Sequence, residues 1–253
     1  MKAYCKLTRA RPDNKELCFT YTHMYESLSK YINCSESLKS DSTHVLFLDF
    51  IPTEADLQDA INCKRQGLKV CVTLFDPPRF GDLDLFKSLD AVDEIILFSK
   101  VFQNVYPEAY ISDYFFNEEV FLKQTSEYEN KLCVFGGLGY GRELPCPIDK
   151  VDIGISSYKD LYSRVMNYNG VFVFDTGHDR NWQNIVHYNK AKAVEALMCG
   201  RNSYCQEGIK TLRYDSYLKS HLMYNSLEPV SFSQDDIFRL NKQTIEDFIC
   251  QIQ

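Results

Sequence analysis

The order of apolar runs and helical segments in the first half of the chain limits the fold more than any other feature. Short runs that are almost wholly apolar predict strands at Val45–Phe50, Lys69–Phe75 and Glu94–Phe98. The helical spacing of apolar residues between these runs predicts helices at Pro52–Gly67 and Leu83–Leu89. Strands that are apolar on both faces are typical of a parallel sheet covered by helices on each side. The sequence therefore predicts an α/β fold.

The same alternation starts again after the polar stretch Gln124–Asn130, which we interpret as a linker. Strands are predicted at Lys131–Phe135, Val151–Ile155, Val171–Phe174 and Ser203–Cys205. Helices are predicted at Tyr158–Tyr168, Val186–Cys199, Tyr214–Asn225 and Gln234–Ile252. We therefore expect two domains, at residues 1–124 and 131–253, with a ligand in the crevice between them.

Composition excludes several classes of protein. No apolar run approaches the ~20 residues of a membrane span, and the first residues lack the pattern of a signal peptide. The ten cysteines form no C-x-x-C pair, so we expect reduced thiols and a cytoplasmic protein rather than a disulfide framework or a zinc site. The net charge of −7 argues against broad binding to polyanions.

One late segment, K-A-V-E-A-L-M-C-G at positions 192–200, combines charged residues at helical spacing with a glycine stop. Lys192 and Glu195 are three residues apart and share a helix face. They form either a surface ion pair or a ligand site. In a ligand site the carboxylate accepts hydrogen bonds from a vicinal diol, and the lysine neutralises phosphate.

Three strand ends provide further candidate residues. The segment after Lys131–Phe135 contains Gly136, Gly137 and Arg142, which suit phosphate binding unless it is only a flexible glycine loop. The segment after Val171–Phe174 contains His178 and Arg180, which we expect to reach a sugar or a diphosphate. Asp76 follows the strand Lys69–Phe75, and it is either a general base or the cap of a turn.

The order L-F-D-x-x-R-F, then G-G with a later R-E, then K-x-x-E in a late helix resembles the DNA β-glucosyltransferases and related DNA glycosyltransferases of phages. The resemblance spans residues 45–208 through these short motifs. It implies the GT-B fold, in which two Rossmann-like parallel-sheet domains face a central cleft. It also implies that Asp76 is the catalytic base, that Arg79 contacts the acceptor and that Arg142 binds the diphosphate. Lys192, where the family has arginine, and Glu195 would then bind phosphate and ribose.

The resemblance implies an inverting transfer of a sugar from a UDP-sugar to a hydroxyl group, with 5-hydroxymethylcytosine in duplex phage DNA as the expected acceptor. We expect a monomer in the host cytoplasm, with no membrane partner. No protein-bound metal is required, and a loosely bound Mg²⁺ is compatible with this chemistry. The basic residues Lys64, Arg65, Arg79 and Lys100 are expected to form a local phosphate-binding face.

Two alternatives stay open at this point. The chain could be a GT-B glycosyltransferase that acts on a glycan or a small molecule. It could also be a nucleotide-binding interaction module without catalytic activity.

Overall fold

Two sheets, in which all neighbouring strands are parallel, form the fold, and the α/β prediction is confirmed. The structure, a computed structural model, describes residues 1–7, 15–48, 53–74, 80–98, 103, 105–135, 148–173, 190–206 and 209–253. Within these ranges the chain divides into two units. Unit 1 comprises Met1–Phe115 and Thr244–Gln253, and unit 2 comprises Phe116–Gln243.

Unit 1 contains a six-stranded sheet. Its strands are β1 (Lys2–Leu7), β2 (Asn33–Ser35), β3 (His44–Leu48), β4 (Lys69–Leu74), β5 (Glu94–Leu97) and β6 (Tyr110–Ile111). They lie in the order β2-β1-β3-β4-β5-β6. Residues 45–48 and 70–74 are all buried, as expected for strands covered on both faces.

In the described part of the chain, three connections of unit 1 contain helices. They are a π-helical segment, Thr20–Tyr25, which continues into α1 (Glu26–Ser29), followed by α2 (Glu54–Arg65) and α3 (Phe80–Ser88). The hydroxyl of Thr53 caps α2 by accepting a hydrogen bond from the backbone N–H of Asp56, 3.1 Å away. The left-handed Gly67 follows the end of α2, where the helix predicted at Pro52–Gly67 also stops.

Unit 2 contains a five-stranded sheet. Its strands are β7 (Glu129–Val134), β8 (Asp149–Lys150), β9 (Tyr168–Val173), β10 (Asn202–Cys205) and β11 (Leu218–Ser220), and its helices are α4 (Tyr158–Val165) and α5 (Lys190–Met198). The strand order is β11-β10-β9-β7-β8. Leu132, Phe172 and Tyr204 from three of these strands form a buried apolar cluster.

The chain after β11 forms one long helix, α6 (Gln234–Ile252), with the bounds that the sequence predicts. Residues up to Gln243 group with unit 2, and Thr244–Gln253 group with unit 1. In unit 1 the fully buried Phe248 packs edge-on against Phe115, with ring centroids 5.0 Å apart. The late segment therefore supplies core residues to a unit that is otherwise made of the first 115 residues.

Two predicted elements are wrong. Val151–Ile155 is not a strand but a turn with a left-handed Gly154, because Ile153 is 69% exposed and only Val151 is buried; the strand is the preceding β8. Tyr214–Asn225 is not one helix but two short 3-10 turns on either side of β11. The carboxylate of Asp215 accepts hydrogen bonds from the N–H and hydroxyl of Thr211, at 2.6 and 2.9 Å, and such side-chain turns compete with helix formation.

Candidate functional site

Both sheets have the strand order of a doubly wound fold. Numbered within each unit, the order is 2-1-3-4-5, and unit 1 adds a sixth strand at the end. In such sheets the connections run in opposite directions from one pair of neighbouring strands, and ligands bind beyond the carboxyl ends of that pair. This switch point lies between β1 and β3 in unit 1, and between β7 and β9 in unit 2.

Five of the predicted donor residues belong to the two chain segments that follow the switch-point strands of unit 2, β7 and β9. Gly136, Gly137 and Arg142 follow β7, and His178 and Arg180 follow β9. All five lie outside the described residues.

The predicted base and acceptor residue belong to unit 1. Asp76 and Arg79 come directly after the carboxyl end of β4, the strand next to the switch-point strand β3. Both residues also lie outside the described part of the chain.

Lys192 and Glu195 are the two predicted site residues that the structure describes, and both are on α5. This helix lies between β9 and β10 in the chain, and it ends at Met198, four residues before the start of β10. Lys192 is partly exposed, whereas Glu195, one turn further on, is only 4% exposed. The interpretation of the two residues as a simple surface ion pair does not fit this burial.

The carboxylate of Glu195 has a partner from a second helix. The hydroxyl of Tyr162, on α4, donates a hydrogen bond of 2.7 Å to Oε1 of Glu195. Tyr162 is fully buried, and its ring stacks on Phe121 with centroids 4.3 Å apart. Among the described residues, this is the only hydrogen bond to the carboxylate, so Oε2 keeps its capacity to accept.

Burial raises the pKa of Glu195 from 4.5 to about 7, while the hydrogen bond from Tyr162 and the charge of Lys192 act in the opposite direction. The charged form is disfavoured because the interior solvates it poorly. A carboxylate that titrates near neutral pH beside a lysine is typical of a binding site, although buried structural networks produce the same shift.

Some residues of the late motif also have structural explanations. Gly200 is left-handed, and a Cβ there would lie 2.7 Å from the side chain of Gln124. Its N–H donates to the carbonyl of Leu197, and the N–H of Arg201 donates to that of Ala196, which ends α5 in a Schellman-type cap. The glycine of the motif therefore follows from helix termination and close packing alone.

Arg201 is a fully buried residue that the sequence does not single out. Its guanidinium donates to the carbonyls of Met166, Thr125 and Gly200 and to the hydroxyl of Thr125, at 2.6–3.1 Å. Five bonds match the five N–H groups of an arginine, so this cation is fully used in holding three chain segments together.

The expected basic face does not include Lys64 and Arg65. A helix that follows β3 and precedes β4 ends at the amino side of the sheet, and these two residues form its last turn. Lys64 forms an ion pair with Asp93, whose Oδ2 accepts a hydrogen bond from the N–H of Val70, near the start of β4. This edge is opposite to the carboxyl ends where Arg79 follows β4.

Comparisons of the chain with protein-family models, curated proteins and solved structures find no match. Among the described residues, no group of three or more His, Cys, Asp or Glu side chains is placed to hold a metal ion. No helix in the described ranges is both long and apolar enough to cross a membrane.

Proposed function

We propose that the chain is an inverting glycosyltransferase of the GT-B class that moves a sugar from a UDP-sugar to a hydroxyl acceptor. The observation that supports this best is the topology of unit 2. Both segments with predicted phosphate-binding residues leave the switch-point strands β7 and β9, and the helix with Lys192 and Glu195 follows the second segment. In doubly wound folds the segments that follow these strands leave the sheet at the edge where nucleotides bind, which supports the assignment of these motifs to one donor site.

In this proposal, unit 2 holds the donor. Oε2 of Glu195 accepts hydrogen bonds from the ribose hydroxyls, while Oε1 stays bound to Tyr162. Lys192 and Arg142 neutralise the diphosphate, and Gly136 and Gly137 let backbone N–H groups approach it. His178 and Arg180 contact the sugar and the diphosphate.

The chemical step is a single displacement. Asp76 takes the proton of the acceptor hydroxyl, and the oxygen attacks C1 of the sugar from the side opposite to UDP. The bond between C1 and the diphosphate oxygen breaks, and UDP leaves with the electron pair. The cationic side chains stabilise the departing charge, so the reaction requires no protein-bound metal, and a loosely bound Mg²⁺ would only assist.

We propose 5-hydroxymethylcytosine in duplex phage DNA as the acceptor, on the strength of the motif resemblance. The target nucleotide has to leave the base stack to reach Asp76, which costs a few kcal/mol of stacking and pairing. Lys64 and Arg65 lie at the amino edge, so Arg79 and Lys100, which follow β4 and β5 in the sequence and lie outside the described residues, are the basic residues that remain for the phosphate-binding face. The acidic chain would then act as a monomer on a small DNA footprint.

The decisive experiment separates donor binding, transfer and acceptor choice. UDP is expected to raise the melting temperature of the full chain, and Glu195→Gln and Lys192→Met are expected to weaken this effect. Matched controls in unit 2, Glu127→Gln and Lys210→Met, replace exposed side chains and should leave it unchanged.

Transfer is then followed by mass spectrometry with a panel of UDP-sugars and with hydroxymethylated, unmodified and glycan acceptors. A sugar adduct on hydroxymethylated DNA alone is the expected result. An adduct on the glycan alone would reject DNA as the acceptor. UDP binding without any transfer would favour the alternative that the chain is a nucleotide-binding module without catalytic activity. Absence of UDP binding would reject the proposal.

A further inference from the structure

The hydroxyl of Tyr162 is held in a fixed position inside unit 2. Its ring lies nearly parallel to that of Phe121, with an angle of 12° between the planes and 4.3 Å between the centroids. Phe121 in turn contacts Phe116 and, on α6, Phe238, with ring centroids 6.2 and 6.5 Å away. Because Tyr162 is fully buried and stacked, its side chain cannot change rotamer without disturbing this packing.

This hydroxyl makes the two carboxylate oxygens of Glu195 unequal. Oε1 accepts the hydrogen bond of 2.7 Å from Tyr162, whereas Oε2 accepts none from the described residues. A protonated carboxyl group carries its proton on one oxygen, and that oxygen then becomes a donor. Because Tyr162 already donates to Oε1, the proton of a neutral Glu195 is expected on Oε2, the oxygen that the proposed donor site uses.

Few groups control the charge of Glu195. Burial raises its pKa to about 7, and the hydrogen bond from Tyr162, followed by the charge of Lys192, lowers it. Burial also raises the pKa of Tyr162 on α4 and of Cys199, just after α5, well above their ordinary values, so both stay neutral. The strands β9 and β10, which α5 contacts, contain no Asp, Glu, Lys, Arg or His.

We propose that Tyr162 is a positioning residue of the donor site: its hydroxyl orients the carboxylate of Glu195 and keeps it charged, so that Oε2 accepts the ribose hydroxyls. This role rests on the proposed function, since Tyr162 serves a donor site only if the chain binds a UDP-sugar. Tyr162 acts through Glu195 and does not touch the ligand itself. A neutral Glu195 would present a proton at Oε2, so the UDP-sugar binds with loss of that proton.

The affinity for a UDP-sugar should therefore depend on pH through Glu195. Below its pKa of about 7, the wild type should lose about tenfold in affinity for each pH unit, because a proton has to leave before the ribose binds. Without the hydroxyl of Tyr162 the charged form of Glu195 loses its hydrogen bond. The same loss of affinity should then begin about one pH unit higher.

The test measures the Kd of UDP-glucose for the full chain by titration calorimetry between about pH 5.5 and 9. The diphosphate of this probe is a diester, so its charge does not change over this range. Tyr162→Phe keeps the stacked ring and removes only the hydroxyl. Its affinity should fall about five- to tenfold between pH 6 and 7, and the midpoint of its pH profile should rise by about one unit. Glu195→Gln should lose this part of the profile, and any dependence that it keeps belongs to other groups, such as His178.

Tyr204→Phe is the matched control for the loss of a buried hydroxyl. Tyr204 is also fully buried in unit 2, and its hydroxyl accepts a hydrogen bond of 3.1 Å from the N–H of Glu228. This variant should lower the melting temperature and leave the pH profile unchanged. A double variant, Tyr162→Phe with Glu195→Gln, should bind UDP-glucose as weakly as Glu195→Gln alone, because Tyr162 acts through Glu195.

The wild type alone provides a second measurement, which does not require any variant to fold. Binding of UDP-glucose at pH 7 should release about half a proton, as calorimetry in buffers of different ionisation enthalpy measures. Binding without proton release would overturn the inference.

Two results with the variants would overturn it as well: an unchanged midpoint in Tyr162→Phe, or additive losses of affinity in the double variant. In each of these cases the wild type still binds UDP-glucose, so the proposed function survives. Absence of UDP-glucose binding by the wild type at every pH would instead reject the proposed function together with the role of Tyr162.

Discussion

At the scale of a single residue, a substitution of Asp76, the proposed base, tests the chemical step separately from donor binding. The change Asp76→Asn keeps the size of the side chain but removes its ability to accept the acceptor proton, so turnover should fall by about 10²–10⁴-fold. UDP binding and the melting temperature should stay the same, because the donor belongs to unit 2 in the proposal. Steady-state kinetics at saturating donor measures the effect.

The alternative role for Asp76 predicts a different result. Asparagine caps a turn almost as well as aspartate does. Normal turnover of Asp76→Asn would therefore contradict the assignment of the base and favour the cap.

Glu195 is expected to make the stability of unit 2 depend on pH. Its folded-state pKa of about 7 lies above the ordinary 4.5, so the folded state binds the proton more tightly than the unfolded state. The contribution of Glu195 is therefore fully present below about pH 4.5 and is lost as the pH rises through 7. The loss amounts to about 3 kcal/mol across that window.

Glu195→Gln removes the titration and keeps an acceptor for Tyr162. The difference in unfolding free energy between wild type and variant should thus shift against the wild type between about pH 4.5 and 7, as denaturant unfolding measures. Glu127→Gln is the control for an exposed carboxylate in the same unit. The same pH dependence in both variants would show that Glu195 is not its source.

The sequence predicts which residues share a helix but not what they face. The spacing of Lys192 and Glu195 is visible in the sequence, and α5 forms as predicted over its described residues. The burial of Glu195 depends on Tyr162, 33 positions away, and on Phe121 behind it. A polar side chain that is buried by distant elements leaves no periodic signal in its own segment.

At the scale of elements, a glycine at the end of a helix can be required for two different reasons. Its backbone can be left-handed, or the surrounding atoms can leave no room for a Cβ. Gly67 and Gly200 are both left-handed, with φ of 79° and 65°. A Cβ at Gly67 meets nothing within 4 Å, whereas one at Gly200 would lie 2.7 Å from Gln124.

Alanine at the two positions should therefore have unequal effects. Gly67→Ala should cost about 1 kcal/mol for its backbone conformation, and Gly200→Ala should cost that amount plus about 1–3 kcal/mol for the forced shift of Gln124. Thermal or urea unfolding of both variants measures the difference. Equal losses would mean that Gln124 moves aside freely.

The sequence predicts well those elements whose burial follows a regular pattern, such as a strand that is buried throughout or a helix with one apolar face. The buried strands β3, β4 and β5 and the amphipathic α6 were all predicted within a few residues. β1 and β2 were not predicted, because their apolar and polar residues alternate and β2 has only three residues. The segment after Tyr214 was misassigned because its local hydrogen bonds, such as that of Thr211 with Asp215, are not encoded in apolar spacing.

At the scale of the whole molecule, α6 has its first half in unit 2 and its second half in unit 1. Phe248 and Ile237 are fully buried in units 1 and 2, respectively. Replacing Phe248 by alanine should cost about 3–5 kcal/mol, and Ile237→Ala about 2–5 kcal/mol.

Hydrogen exchange should locate the two losses in different sheets. Phe248→Ala is expected to speed exchange in β3–β5 more than in β9 and β10, and Ile237→Ala should do the reverse. Identical exchange patterns in the two variants would contradict a division of the helix between two cores.

The assignment of residues 244–253 to unit 1 also sets an order of events during synthesis. The ribosome makes residues 1–115 first, yet the core that contains Phe248 lacks this ring until the 128 residues of unit 2 have followed. At about 5–20 residues per second, that interval lasts roughly 6–26 s. The sheet of unit 1 is therefore translated before unit 2, but its core is completed only after unit 2 has been made.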